Sequence, residues 1–180
     1  DFDFKYAASS APSMLSAHMP SSHAIGPVAA LPARRHGRSH VERIVRRLRE
    51  ALSRLVVLPP GGLRVYVMER QSPAEAGEGK VKDGLHLVVP DVVVHSAIQM
   101  HLRRELLPQL APVFSDLGCI NRPEDVYDES VLSRNGWFLY GSGKPGVVPY
   151  NVTGVCHIDH GGDTVAWEPR AAPDNAEDVA

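Results

Sequence analysis

The first six residues, Asp1-Phe2-Asp3-Phe4-Lys5-Tyr6, set two carboxylates and two phenylalanines on alternating positions. A strand turns successive side chains to opposite faces, so Asp1 and Asp3 share one face and Phe2 and Phe4 the other. The phenylalanines would bury the strand on a core. Adjacent carboxylates repel each other unless a cation lies between them. A divalent metal held by carboxylate oxygens is the usual answer at sites that handle nucleotide phosphates. For D-x-D alone, the plain alternative is a half-exposed strand with a solvated acidic face. Three further groups favour chemistry. Lys82-x-Gly84-x-His86 puts a cation and an imidazole on one strand face, fit to grip a polyphosphate. Asp128, within Val126-Tyr127-Asp128-Glu129-Ser130-Val131, supplies a third carboxylate that would complete a two-metal clamp. Ser142-x-Lys144, in a glycine-containing loop, adds a hydroxyl and an ammonium.

These groups need strands to carry them. Leu63 to Glu69 reads as a strand with Val65 and Val67 on one face and Tyr66 and Met68 on the other. Lys82 to Val89 reads as another, ending at Pro90, after a polar loop over 71–80. Trp137-Phe138-Leu139-Tyr140 is a strong strand, with Trp137 and Tyr140 candidates for stacking on bases, and Asn151 to Ile158 a weaker one. Two helices are expected. Ser39-His40-Val41-Glu42 has the form of a capping box, and Val41, Ile44, Val45, Leu48, Leu52 and Leu55 follow at helical spacing. Arg43, Arg46, Arg47, Arg49 and Arg54 fill the remaining surface and read as a solvated face. The second helix runs from Ser96 to Leu107 with Ile98, Leu102 and Leu106 inward, closed by Pro108; residues 109–126 read as irregular or briefly helical.

Composition bounds the rest. The length suits one domain, residues 1–168, interrupted by an Ala/Ser/Pro/Gly-rich stretch over 7–37 that reads as a flexible insertion. Residues 169–180 are acidic and Pro/Ala-rich and read as a disordered tail. A net charge of −2 gives no global pull toward nucleic acid, so any such contact must come from a local basic face. Two cysteines are too few for a disulfide framework, which points to a reduced, intracellular setting. No apolar run reaches the ~18 residues of a membrane span, so no membrane partner is expected. The chain opens at Asp1, directly on a core strand, and reads as an N-terminally truncated fragment. Two other motifs fail. Gly143-Lys144 lacks the upstream Gly and the following Ser or Thr of a phosphate-binding P-loop, with Phe138 and Pro145 in those places. Cys156-His157-Ile158-Asp159-His160 has no second ligand pair at finger-like spacing and reads as a strand end.

The order D-x-D, K-x-G-x-H, V-Y-D-x-S-V and R-N-G-W-F-L-Y-G-S-G-K-P-G resembles the archaeo-eukaryotic primase (AEP) superfamily over residues 1–6 and 38–160. It is most similar to the primase domain that large DNA viruses fuse to a helicase in D5-type primase-helicases, and it also resembles the eukaryotic primase-polymerase. The resemblance implies an α/β (α+β) fold, with a recognition-motif-like mixed or antiparallel sheet flanked by helices. It implies that Asp1, Asp3 and Asp128 are the catalytic carboxylates and hold Mg²⁺ or Mn²⁺. It further implies that Lys82, Gly84, His86, Ser142 and Lys144 bind the nucleotide. The implied reaction is nucleotidyl transfer from nucleoside triphosphates on a single-stranded DNA template at a site of DNA replication, with a helicase domain as a partner in the full-length protein. Two departures stand out: Gly84 where cellular relatives carry Ser, and Phe138 where the primase-polymerase has Arg. The other readings are a gap-filling or translesion polymerase and a catalytically silent module that binds single-stranded DNA.

Overall fold

Alternation decides the first element. The computed structural model describes residues 1–8, 32–133 and 149–168. In it, strand β1 (Phe2–Ala7) buries Phe2, Phe4 and Tyr6 and leaves Asp3 and Lys5 partly exposed. α1 (Arg38–Ser53) follows, then β2 (Leu63–Glu69), β3 (Ala74–Glu75), β4 (Lys80–Val88) and α2 (Ser96–Asp116). Two single-turn helices, α3 (Pro123–Val126) and α4 (Ser130–Ser133), precede β5 (Asn151–Ile158) and β6 (Val165–Trp167). The six strands form one open sheet in the order β1-β4-β2-β5-β6, with β3 beside β4, and every pairing is antiparallel. The expected α+β fold with helices flanking such a sheet is present, and among the described residues the sheet is antiparallel throughout.

The core lies on one sheet face, under the two long helices. Phe4 is fully buried; its ring stacks 6.3 Å from both Phe2 and Tyr6 and meets Phe114 of α2 edge-on at 6.2 Å. α1 contributes Val41, Ile44, Val45 and Leu52 to the same core. Truncating Phe4 to Ala is expected to cost about 3–5 kcal/mol through lost burial and the cavity left behind, read as a lower urea midpoint. An unchanged midpoint would show that β1 is not anchored in this way.

Several expectations are corrected. α1 begins at Arg38, so the cap is Gly37 and not Ser39; the Gly37 N–H donates to His40 Nδ1 at 3.2 Å. α1 ends at Ser53, before Leu55, which is exposed. Pro108 does not close α2, which runs through it and Pro112 to Asp116. A proline inside a helix costs about 3 kcal/mol. Leu110, Val113 and Phe114, all buried beyond Pro108, regain about 1.5–3 kcal/mol each, and they win. Residues 71–80 hold the short strand β3 as well as a turn. The expected strand Trp137–Tyr140, the loop with Ser142 and Lys144, and the tail 169–180 lie outside the described residues.

Candidate functional site

The site is built across β1. On one side β4 pairs with it, placing Asp3 opposite Gly84 and Lys5 opposite Lys82; the same register carries Asp1 to His86. On the other side the segment 120–128 runs along its outer edge. The Ile120 N–H donates to the Lys5 carbonyl at 2.8 Å, and Asn121 Nδ2 to the Asp3 carbonyl at 2.7 Å. The Lys5 N–H donates to Asn121 Oδ1 at 3.1 Å. Phe2 and Tyr127 form an antiparallel bridge, with their rings 4.9 Å apart. Asp128 therefore flanks Asp1 on the side away from His86, and it lines one cleft with Asp3, Lys5 and Ser130. Asp1, Asp3, Asp128, Lys82, Gly84 and His86, distant in sequence, share the sheet face turned away from the core.

Each carboxylate has a partner. Lys82 Nζ lies 2.8 Å from Asp3 Oδ2, and His86 Nε2 lies 2.9 Å from Asp1 Oδ1. Burial, aided by Arg70, pushes the His86 imidazole down to about 4, against the opposing pull of Asp3. At neutral pH the contact is thus a hydrogen bond from a neutral ring rather than an ion pair. Asp128 accepts from the Ser130 N–H at 2.8 Å and from the Ser130 hydroxyl at 2.7 Å. Burial works to raise its pKa, but the two Ser130 bonds and Lys82 outweigh it and hold the carboxyl below its usual range. Among the described residues no three His, Cys, Asp or Glu side chains stand close enough as placed to hold a metal ion. The donor chemistry still fits a hard divalent cation, because Asp3 Oδ1 is buried with no hydrogen-bond partner beside a second carboxylate-lined cleft wall.

Sequence reasoning missed the residues that position this set. Arg103, to which the motifs gave no role, is buried; Nε donates to the Tyr127 carbonyl at 2.7 Å and Nη2 to the Glu124 carbonyl at 2.8 Å, while Nη1 meets Glu129 at 3.0 Å. It fastens the Asp128 segment to α2. Tyr150 carries no motif, but its ring stacks on His86 at 3.8 Å and 20°. It also explains Gly84: a Cβ there would stand 2.0 Å from the Tyr150 hydroxyl oxygen. The space a serine side chain would need is taken by the tyrosine.

Beneath the site, on the core side, a polar cluster ties down the end of the stretch expected to be a flexible insertion. Arg34 grips the buried Asp83 through Nε at 3.0 Å and Nη2 at 3.2 Å, and also meets Glu69 at 3.0 Å. His36 Nε2 lies 2.5 Å from Glu69 Oε1, and the Thr153 hydroxyl donates to Glu69 Oε2. Residues 9–31 lie outside the described residues. Burial works to raise the Glu69 pKa, but His36, Thr153 and Arg34 bring it below the ordinary value of 4.5. With a depressed folded pKa, this carboxylate contributes stability that is present above the unfolded value and lost as pH falls through the folded one. Melting temperature should therefore fall on acidification below about pH 4.5, with a shallower fall in Glu69→Gln. Parallel curves for the two proteins would refute the assignment.

Two comparisons bear on this site. The family model for the C962R protein N-terminal AEP domain matches residues 1–156, a span that holds the D-x-D, K-x-G-x-H, V-Y-D-x-S-V and R-N-G-W-F-L-Y-G-S-G-K-P-G stretches. A protein of Acanthamoeba polyphaga mimivirus described as "Putative helicase L207/L206" is 35% identical over 81 residues, covering 44% of this chain. That match spans only 8% of the viral protein's length.

Proposed function

This chain belongs to the family of the C962R protein N-terminal AEP domain, and we propose that it is the primase domain of a viral replication protein. The reaction would be transfer of a nucleotidyl group from a nucleoside triphosphate to a 3′-hydroxyl on a single-stranded DNA template. The observation that carries this reading is the register across β1, which brings Asp1, Asp3 and Asp128 onto one face with Lys82 and His86. Asp1, Asp3 and Asp128 would hold Mg²⁺ or Mn²⁺, whose chemistry at such sites is to acidify the attacking hydroxyl and neutralise phosphate charge. The protein's own part is positioning and charge stabilisation. Ser130 holds and orients Asp128, Arg103 fixes the segment that carries it, and Lys82 and His86, beside Asp3 and Asp1, would receive phosphate oxygens. Ser142 and Lys144 would add phosphate contacts. Because the viral relative is described as a helicase and is far longer than the match, a helicase in the same polypeptide is the proposed partner. No helix among the described residues is long and apolar enough to cross a membrane.

The test is primer synthesis and primer extension on single-stranded DNA with Mg²⁺ or Mn²⁺, comparing the chain with Asp128→Ala. Products from unprimed template that vanish in the variant support a primase. Extension without initiation supports the gap-filling or translesion polymerase. One observation favours a third reading, a silent single-stranded DNA-binding module: Asp3 and Asp1 are already engaged by Lys82 and His86. DNA binding with no product under either metal would support it.

A further inference from the structure

Arg70 follows directly on β2, whose register sets Met68 opposite His86 and carries Arg70 toward Gly84. Across the sheet, Asp3, Gly84 and Arg70 thus fall in one row, with the bare Gly84 covered by Tyr150. The Arg70 guanidinium lies 4.9 Å from the centre of the Tyr150 ring, the same ring that stacks on His86 at 3.8 Å. Arg70 is half-buried, its Nε is buried without a hydrogen-bond partner, and no carboxylate pairs with it among the described residues. The other buried or half-buried arginines near the site are committed: Arg34 to Asp83 and Glu69, Arg103 to Glu129 and two carbonyls. Arg70 also borders a cleft on the core side, where Glu69 and Asp83 are held by Arg34 and His36 and not by Arg70.

A cation drawn partly out of water without a counter-charge costs free energy unless an anion is supplied. The flat guanidinium, stacked on an aromatic platform, suits a phosphate, which it binds through two parallel N–H donors. We propose that Arg70 is a phosphate-contacting residue of the nucleotide site, and that Tyr150 is the positioning residue that orients both Arg70 and His86 toward the polyphosphate of a nucleoside triphosphate. This rests on the nucleotide-binding reading given above.

The experiment measures equilibrium binding of dATP, dAMP and inorganic tripolyphosphate, in Mg²⁺ buffer, to the native chain, Arg70→Gln and Tyr150→Leu. Arg70→Gln should weaken dATP and tripolyphosphate roughly tenfold to hundredfold, as expected for a lost charge-assisted contact, and leave dAMP within about threefold. Tyr150→Leu should weaken the same two ligands with the charge intact. Native-like affinity of Arg70→Gln for dATP overturns the proposal, as does an equal loss for dAMP and dATP. Should Arg70→Gln fail to fold, Tyr150→Leu decides, since unchanged tripolyphosphate affinity there overturns the platform. A native chain that binds neither dATP nor tripolyphosphate overturns the nucleotide-site reading itself, and Arg70's role with it.

Discussion

Asp3→Asn is expected to reduce primer synthesis on the order of 10³-fold, the scale seen when one charge-stabilising group is removed from a preorganised site. Folding should be almost untouched. Asp3 pairs with Lys82, their side chains 25% and 40% exposed, and such a partly solvated pair contributes about 1 kcal/mol at most. The substitution keeps the shape and the carbonyl oxygen and removes the charge, so a large kinetic loss with an unchanged melting temperature isolates the carboxylate's chemical role. The same variant should weaken Mn²⁺ binding, followed by titration calorimetry without substrate. Full activity in Asp3→Asn would remove the carboxylate face from the mechanism. Loss of activity with loss of folding would instead assign Asp3 a structural part.

Gly84→Ser carries the second large effect, and its sign runs against intuition. Cellular relatives that this chain resembles carry serine at that position, so the change would look like a restoration. Here a Cβ would lie 2.0 Å from the Tyr150 hydroxyl oxygen and 3.0 Å from the adjoining ring carbon, so the ring must move. Overpacking of this kind costs about 1–3 kcal/mol, and the displaced ring would also leave His86. Pairing Gly84→Ser with Tyr150→Ala removes the clash. The two single losses should therefore not add, with a coupling of at least about 1 kcal/mol in a urea-denaturation cycle. Additive losses, or a neutral Gly84→Ser, would mean that Tyr150 does not sit over Gly84.

What the sequence exposed and what it hid follow from the range of each interaction. The two-residue period of Asp1-Phe2-Asp3-Phe4 is local, and it announced both the strand and its acidic face. β2, β4 and β5 were legible for the same reason, as was the amphipathic run of α1. Tyr150 was invisible because its meaning lies in contact with His86, 64 positions away. Arg103 carried no local signal because its partners lie on the 124–129 segment, more than twenty positions away. Pro108 misled because a local rule about proline was outweighed by the burial of residues beyond it. Arg34 and His36 sit at the end of a low-complexity stretch, and nothing local distinguishes them from its other residues. The motifs named the chemical groups, while register and packing supplied their arrangement.

The bonds along the outside of β1 have a consequence for assembly. A border strand with free amides and carbonyls is a template on which another chain can add, the first step of edge-to-edge aggregation. Asn121 and Ile120 occupy the Asp3 carbonyl and both backbone groups of Lys5, and Tyr127 closes the Phe2 position. A strand from a second copy would have to displace these contacts before it could pair there. The segment that delivers Asp128 to the acidic face thus also keeps the strand carrying Asp1 and Asp3 from becoming a seed for self-association.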